Sequence, residues 1–170
     1  MIAAAATAGV DSAASEGSEP STTTQAQWMI EELCKRFEGF RSRPYLCPAS
    51  VWTIGYGATS YLDGRAVQPT DAPVTQEVAE RLLERQIVRV YLPGAMRACP
   101  TADTPGRQAA LGDFAFNLGL TRLKASTLRK RVLAGDWHGA AAELRKWVRA
   151  GVRVLPGLVV RREAEVRLLS

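Results

Sequence analysis

The chain is poor in the residues that metal, nucleotide and imidazole chemistry require. It has one histidine, His138, and three cysteines, Cys34, Cys47 and Cys99. No C-x-x-C or H-E-x-x-H pattern connects them, so no metal site is expected. A single histidine leaves serine or cysteine catalysis only one possible imidazole base. Neither G-x-x-x-x-G-K-[ST] nor a strand-linked G-x-G-x-x-G occurs, which removes the usual phosphate cradles. No run of about 18 apolar residues is present, so no complete transmembrane helix is expected. What remains is a cofactor-free globular domain, or chemistry done by carboxylates.

What is present suits such a domain. The 170 residues are 46% hydrophobic and 23% charged, enough for one compact unit that buries roughly 70% of its unfolded surface. The net charge of +5 is unevenly spread. Residues 1–27 carry Asp11, Glu16 and Glu19 and no Lys or Arg, whereas residues 120–170 hold 12 basic against 4 acidic side chains. A basic face of this kind attracts polyanions such as an anionic cell wall or lipid surface; a solvated helix surface is the plainer alternative.

Residues 1–27 are Ala, Ser, Thr, Gly and Glu with few bulky apolar side chains, a composition that cannot offset its own ordering entropy. They read as a flexible N-terminal segment, either a linker or the remnant of an export or anchor segment. Residues 28–170 read as one domain. Ile30, Leu33, Cys34 and Phe37 recur at helical spacing and predict a helix ending near Gly39. Tyr45 to Gly57 predicts two short strands around a Pro48-Ala49-Ser50 turn, and Tyr61–Val67 a further turn and edge strand. Helices follow over 75–90, broken at Pro93, then from Thr104-Pro105 to Gly119, over 122–133, from Asp136 to Ala150-Gly151, and over 158–169. The expected fold class is α+β, with a small antiparallel β-lobe, a larger helical lobe and a ligand cleft between them.

Glu38 stands at the end of the first helix, beside Phe37 and Phe40. A helix C-terminus and apolar neighbours both disfavour an ionised carboxyl, the setting a general acid needs. A solvated glutamate in the last turn is the alternative, and the downstream hairpin bears on the choice. Cys47 follows nine residues later and Thr53 fifteen residues later, and a hairpin folding back would bring both toward Glu38.

This run, Glu38-Gly-Phe-Arg-Ser-Arg-Pro-Tyr-Leu-Cys47-Pro-Ala-Ser-Val-Trp-Thr53-Ile-Gly-Tyr-Gly, resembles the phage-type lysozymes, the T4-like and lambdoid endolysin muramidases of glycoside hydrolase family 24. Their signature is Glu, eight residues, Asp or Cys, five residues, then Thr. The likeness continues through Asp113-Phe-Ala-Phe-Asn-Leu-Gly119, Ser126-Thr127-Leu128, Gly135-Asp136-Trp137 and Leu155-Pro156-Gly157-Leu158 with Arg161-Arg162 and Glu165. It covers roughly residues 28–170. Ala58 departs from it, standing where many relatives carry histidine.

The resemblance implies a lysozyme-like enzyme that hydrolyses the β-1,4 bond between N-acetylmuramic acid and N-acetylglucosamine in peptidoglycan and so lyses the host cell. Glu38 would act as the acid, Cys47 and Thr53 would hold the attacking water, and Phe116 and Asn117 would border the sugar cleft. No cofactor, metal or nucleic acid is implied. The partner is peptidoglycan, with the basic C-terminal helices touching anionic cell wall or outer-membrane lipid. A monomer is expected, made in the bacterial cytoplasm and acting in the periplasm or on the wall by an unassigned export route. A lytic transglycosylase and a non-catalytic polyanion-binding module are the competing readings. With Cys47 at the site, Cys34 and Cys99 are left to pair as a disulfide; a Cys34–Cys47 bridge that blocks the cleft is the rival.

Overall fold

The computed structural model describes residues 20–47 and 50–170. Helix α1 (Thr22–Glu38) is capped by Ser21, whose hydroxyl accepts from the Thr24 amide and satisfies one of the unpaired first-turn donors. Its inner stripe is Ala26, Ile30 and Cys34. The helix thus begins inside the segment expected to be a linker, because Ala26 extends the buried stripe one turn upstream of Ile30. Residues 1–19 of that expectation lie outside the described residues. At the other end Gly39 takes φ +70°, a left-handed conformation that glycine enters without steric cost, and the helix stops after Glu38.

Strands β1 (Arg41–Leu46) and β2 (Trp52–Gly55) then form an antiparallel hairpin, with Tyr45 opposite Thr53 and Leu46 opposite Trp52. The register is irregular between Arg41 and Tyr45, where Pro44 has no amide to give to the ladder. Of the expected turn, Pro48 and Ala49 lie outside the described residues, and the Ser50 amide closes onto the Cys47 carbonyl at 2.8 Å. The edge strand expected over Tyr61–Val67 is a loop instead, held by single bridges between Ile54 and Ala58 and between Ser60 and Ala66. The loop is tied by side chains, with Arg65 donating to Asp71 at 2.9 Å.

Helix α2 (Gln76–Gln86), capped by Thr75, carries this lobe. A Cβ on Gly55 would lie 2.8 Å from the Ala79 Cβ, so the strand end approaches α2 only because Gly55 has no side chain. The chain does not break at Pro93. It passes through a π-helical turn, Ile87–Tyr91, into α3 (Leu92–Ala98), with Pro93 in its first turn. Proline is tolerated there because the wider turn reroutes the hydrogen bonds and no amide is needed at that place.

Helix α4 (Pro105–Leu118) is the central element, buried without interruption from Ala109 to Phe114 and Ala115 and flanked by α1, α3 and α8. The helix expected over 122–133 is two: α5 (Leu120–Ala125) and α6 (Thr127–Leu133), parted at Ser126, whose hydroxyl caps α6 by accepting from the Arg129 amide. Helix α7 (Trp137–Leu144) stops short of Ala150. A second small hairpin follows, β3 (Arg149–Ala150) and β4 (Arg153–Val154), turning at Gly151 with φ +57°. Helix α8 (Pro156–Leu168) ends the fold. One core cluster fills the helical lobe around Leu111, Phe114, Leu128 and Leu144. A second joins α1 to α2 through Ile30, Leu83 and Ile87, and a third lies under the hairpin around Ile54, Val67 and Leu82. The architecture is the expected α+β arrangement of a small antiparallel lobe and a larger helical one.

Candidate active site

Glu38 closes α1 at the edge of a pocket of about 440 Å³, which it lines with Phe37, Asn117, the Leu155–Leu158 segment and Arg161. Its surroundings differ from the apolar setting expected of it. The Arg161 Nη1 of α8 donates to Glu38 Oε1 at 2.5 Å, so a buried guanidinium is its closest polar neighbour. The Glu38 side chain keeps 29% of its surface open while Arg161 keeps 3%. Glu38 therefore faces the pocket with a charged side chain behind it.

Cys47 and Thr53 sit at the end of the first hairpin. The Cys47 amide and the Thr53 hydroxyl both donate to the Val51 carbonyl, at 3.0 Å and 2.9 Å. One oxygen thus ties the two residues to a common point. Tyr45 is paired directly with Thr53, and side chains two apart on a strand share a face, so Tyr45, Thr53 and Cys47 run along one side of the hairpin. Burial raises the Tyr45 phenol, Arg41 over its ring at 4.4 Å lowers it, and the charges of Glu38 and Cys47 raise it further. Tyr45 therefore senses both Glu38 and Cys47. Thr53 is almost fully buried, and because Val51 takes its proton, its oxygen is left as an acceptor.

Asn117 reaches the pocket through its place on α4. Arg162 Nη2 donates to Asn117 Oδ1 at 3.0 Å, which leaves the Asn117 NH2 as the group to offer a ligand. Phe116 is turned elsewhere. Its ring packs edge-on against Tyr91 at 5.1 Å and lies 3.8 Å from the position of a Gly57 Cβ, under the hairpin lobe. It shares a helix with Asn117 but not the Glu38 pocket. Ala58 is buried beside Ile54 and Val67 and serves the core.

The Cys34–Cys99 bridge is not formed; both are free, buried thiols. They belong to different core clusters, and Cys34 is already engaged, donating to Asp113 Oδ1 at 3.5 Å. Burial holds the Cys34 thiol well above its ordinary value and pushes Cys99 up to about 11. Both are therefore poor nucleophiles.

A group of charges behind Glu38 escapes sequence reasoning about the site. Arg161 makes a bidentate pair with Asp113, Nε to Oδ2 at 2.9 Å and Nη2 to Oδ1 at 2.7 Å. Arg162 and Glu165, both fully buried, lie 2.6 Å apart. Asp113, Arg161, Arg162 and Glu165 appear in the sequence only as members of a resembling stretch. The signal that reveals them is inverted amphipathicity: on α8 the valines 159 and 160 face solvent while Arg161, Arg162 and Glu165 are buried.

Residues 35–165 match the phage lysozyme family. The chain is 40% identical over 143 residues to an endolysin of Acyrthosiphon pisum secondary endosymbiont phage 1, covering 81% of this chain and 92% of that one. Among solved structures, the endolysin of Escherichia coli O157:H7 phage FAHEc1 aligns with a TM-score of 0.72 at 27% identity, over 88% of this chain and 93% of that one. The muramidase domain of SpmX from Asticaccaulis excentricus aligns with a TM-score of 0.72 at 32% identity, over 82% of this chain and 93% of that one.

Proposed function

The chain belongs to the phage lysozyme family and is an endolysin-type lysozyme; from that premise we propose that Glu38, Cys47 and Thr53 carry its reaction. The bond cut is the β-1,4 link between N-acetylmuramic acid and N-acetylglucosamine, the activity of a family 24 glycoside hydrolase. The observations that support this reading are that Glu38 lines a pocket, and that Cys47 and Thr53, which are not among its lining residues, share one carbonyl on the hairpin whose Tyr45 feels the charge of Glu38.

Glu38 gives its proton to the leaving glycosidic oxygen as the bond breaks. A water held by Cys47 and Thr53 attacks the opposite face of the oxocarbenium-like centre, which inverts the configuration, and the proton this oxygen then carries passes to solvent. Thr53 suits this task because its oxygen accepts, so the water donates to it and turns a lone pair toward the sugar. Cys47 stands where an aspartate stands in other members and positions the same water. Asn117 donates its NH2 to a sugar carbonyl or hydroxyl in the pocket. The basic face of residues 120–170 draws the monomeric enzyme to anionic wall or outer-membrane lipid and raises the encounter rate. The enzyme is made in the bacterial cytoplasm and works on the wall.

Clearing of chloroform-treated Gram-negative cells, followed by mass spectrometry of the released muropeptides, tests the reading. Reducing muramic acid ends are the expected product. Anhydro ends would make the protein a lytic transglycosylase, and intact glycan would remove the activity altogether.

A further inference from the structure

The two neighbouring arginines of α8 are both buried, and they spend their hydrogen bonds differently. Arg161 directs its fork at the carboxylates of Asp113 and Glu38. Arg162, at 0% exposure, donates to a neutral amide, its Nη2 meeting Asn117 Oδ1 at 3.0 Å. Among the described residues this is its one hydrogen bond, and its Nε and Nη1 have no partner. Glu165, also at 0% exposure, lies 2.6 Å from the same Nη2, but neither of its oxygens accepts a hydrogen bond. Phe114 adds an aromatic face at 5.3 Å. A guanidinium buried only to hold the core would turn its fork on the carboxyl beside it, as Arg161 does.

We propose that Arg162 is a positioning residue for substrate binding: it fixes the side-chain amide of Asn117 so that the NH2 end faces the Glu38 pocket. The inference rests on the substrate-binding role given to Asn117 above. Arginine carries five N–H donors and no acceptor, so the amide atom turned toward it is the oxygen. Asn117 lines the pocket with Glu38, and the end it has left to offer there is a donor. Without Arg162 the amide turns about its last bond and presents either end. A substrate group that meets the fixed amide must accept a hydrogen bond, and the acetamido carbonyl of each amino sugar does so. Fixing the amide beforehand removes an ordering cost from the binding step. Glu165 supports the arrangement indirectly, by opposing the charge of Arg162 in a fully buried site.

A pair that only holds the core and a pair that positions Asn117 behave differently on removal. Arg162→Met alone strands the Glu165 carboxyl and should lose stability, so it does not separate them. Arg162→Met combined with Glu165→Leu removes both charges and keeps apolar volume, an exchange that buried pairs often tolerate. If the pair only holds the core, this double variant keeps the parent's KM. If Arg162 positions Asn117, KM on soluble glycan fragments rises about two- to tenfold, the worth of one neutral hydrogen bond, with kcat little changed. Adding Asn117→Ala to the double variant then raises KM no further, because both changes remove the same interaction. Arg162→Lys keeps a cation and a donor, so it should show a smaller rise.

The decisive experiment measures KM for the parent, the double variant, Asn117→Ala and all three changes together, and records the side-chain NH2 signals of Asn117 by heteronuclear NMR. Their absence from Asn117→Ala assigns the signals. The expected result is that they shift when Arg162 is replaced, and that KM rises by the same factor in all three altered proteins. Unmoved signals overturn the proposal. So does a KM that stays at the parent's value in the double variant while Asn117→Ala raises it, and so do effects that multiply when combined. If the double variant does not fold, Arg162→Lys is read by the same two measurements. Should Asn117→Ala leave KM unchanged, the proposal falls with the substrate role of Asn117, and shifted signals would show that the fault lies in that role and not in the Arg162 contact.

Discussion

Arg161 and Glu38 stand 123 positions apart in the chain and share a hydrogen bond of 2.5 Å. The last helix thus reaches across to the first and holds the proposed acid from behind. The same guanidinium grips Asp113 on the central helix with two further bonds. Three elements that meet nowhere else in sequence are pinned by one side chain.

Removing that side chain should therefore cost both stability and activity. Arg161→Met leaves Asp113 charged, buried and unpaired, and the expected loss is about 3–5 kcal/mol. Arg161→Lys restores charge but not the planar fork, so it should recover only part of the loss. Urea unfolding of the two variants checks this. An Arg161→Met protein as stable as the parent would mean that the buried pair does not hold the lobe.

Cys47 is the least buried of the three thiols. Cys34 and Cys99 are buried with raised thiols, so a small alkylating reagent near neutral pH should modify Cys47 first. Alkylation there should stop lysis by filling the water position. Cys47→Asp should retain or raise activity, whereas Cys47→Ala should lose much of it. A reductant should leave activity unchanged, because Cys34 is engaged with Asp113 inside the core. A lytic Cys47→Ala enzyme would remove Cys47 from the mechanism.

Asn117 offers a cleaner separation of binding from chemistry. Its carbonyl is taken by Arg162, so Asn117→Ala removes the NH2 donor from the pocket without touching Glu38. One neutral hydrogen bond is worth about 0.5–1.5 kcal/mol, so KM on soluble glycan fragments should rise roughly two- to tenfold with kcat little changed. A drop confined to kcat would place Asn117 in the chemical step instead.

Much of this arrangement is legible in the residues. The α1 stripe, the stop at Gly39 and the cap at Thr104 each follow from a local rule, and each places an element correctly. The failures are equally physical. Pro93 reads as a break because proline ends α-helices, but a π-helical turn absorbs it. Ser126 reads as one more helical residue but serves as a cap between two helices. The Asp136 helix runs on in the sequence, whereas Gly151 turns that stretch into a hairpin. The charged cluster is the larger omission. The charge count includes Arg161 and Arg162 in a basic face, whereas both are buried in the fold with Glu165. The cysteine pairing fails for a related reason: elimination selects Cys34 and Cys99, but the partner of Cys34 is a carboxylate.

The measurement that bears most directly on the account is the lytic rate of Glu38→Gln. Glutamine keeps the shape of the side chain and an oxygen for Arg161, so the variant should fold with a Tm close to the parent's. It has no proton to give. Its rate on chloroform-treated cells should fall by about 10²–10⁴-fold, the contribution of a positioned general acid. A folded Glu38→Gln protein that lyses within a few-fold of the parent would contradict the assignment of Glu38, and with it the mechanism built on this pocket.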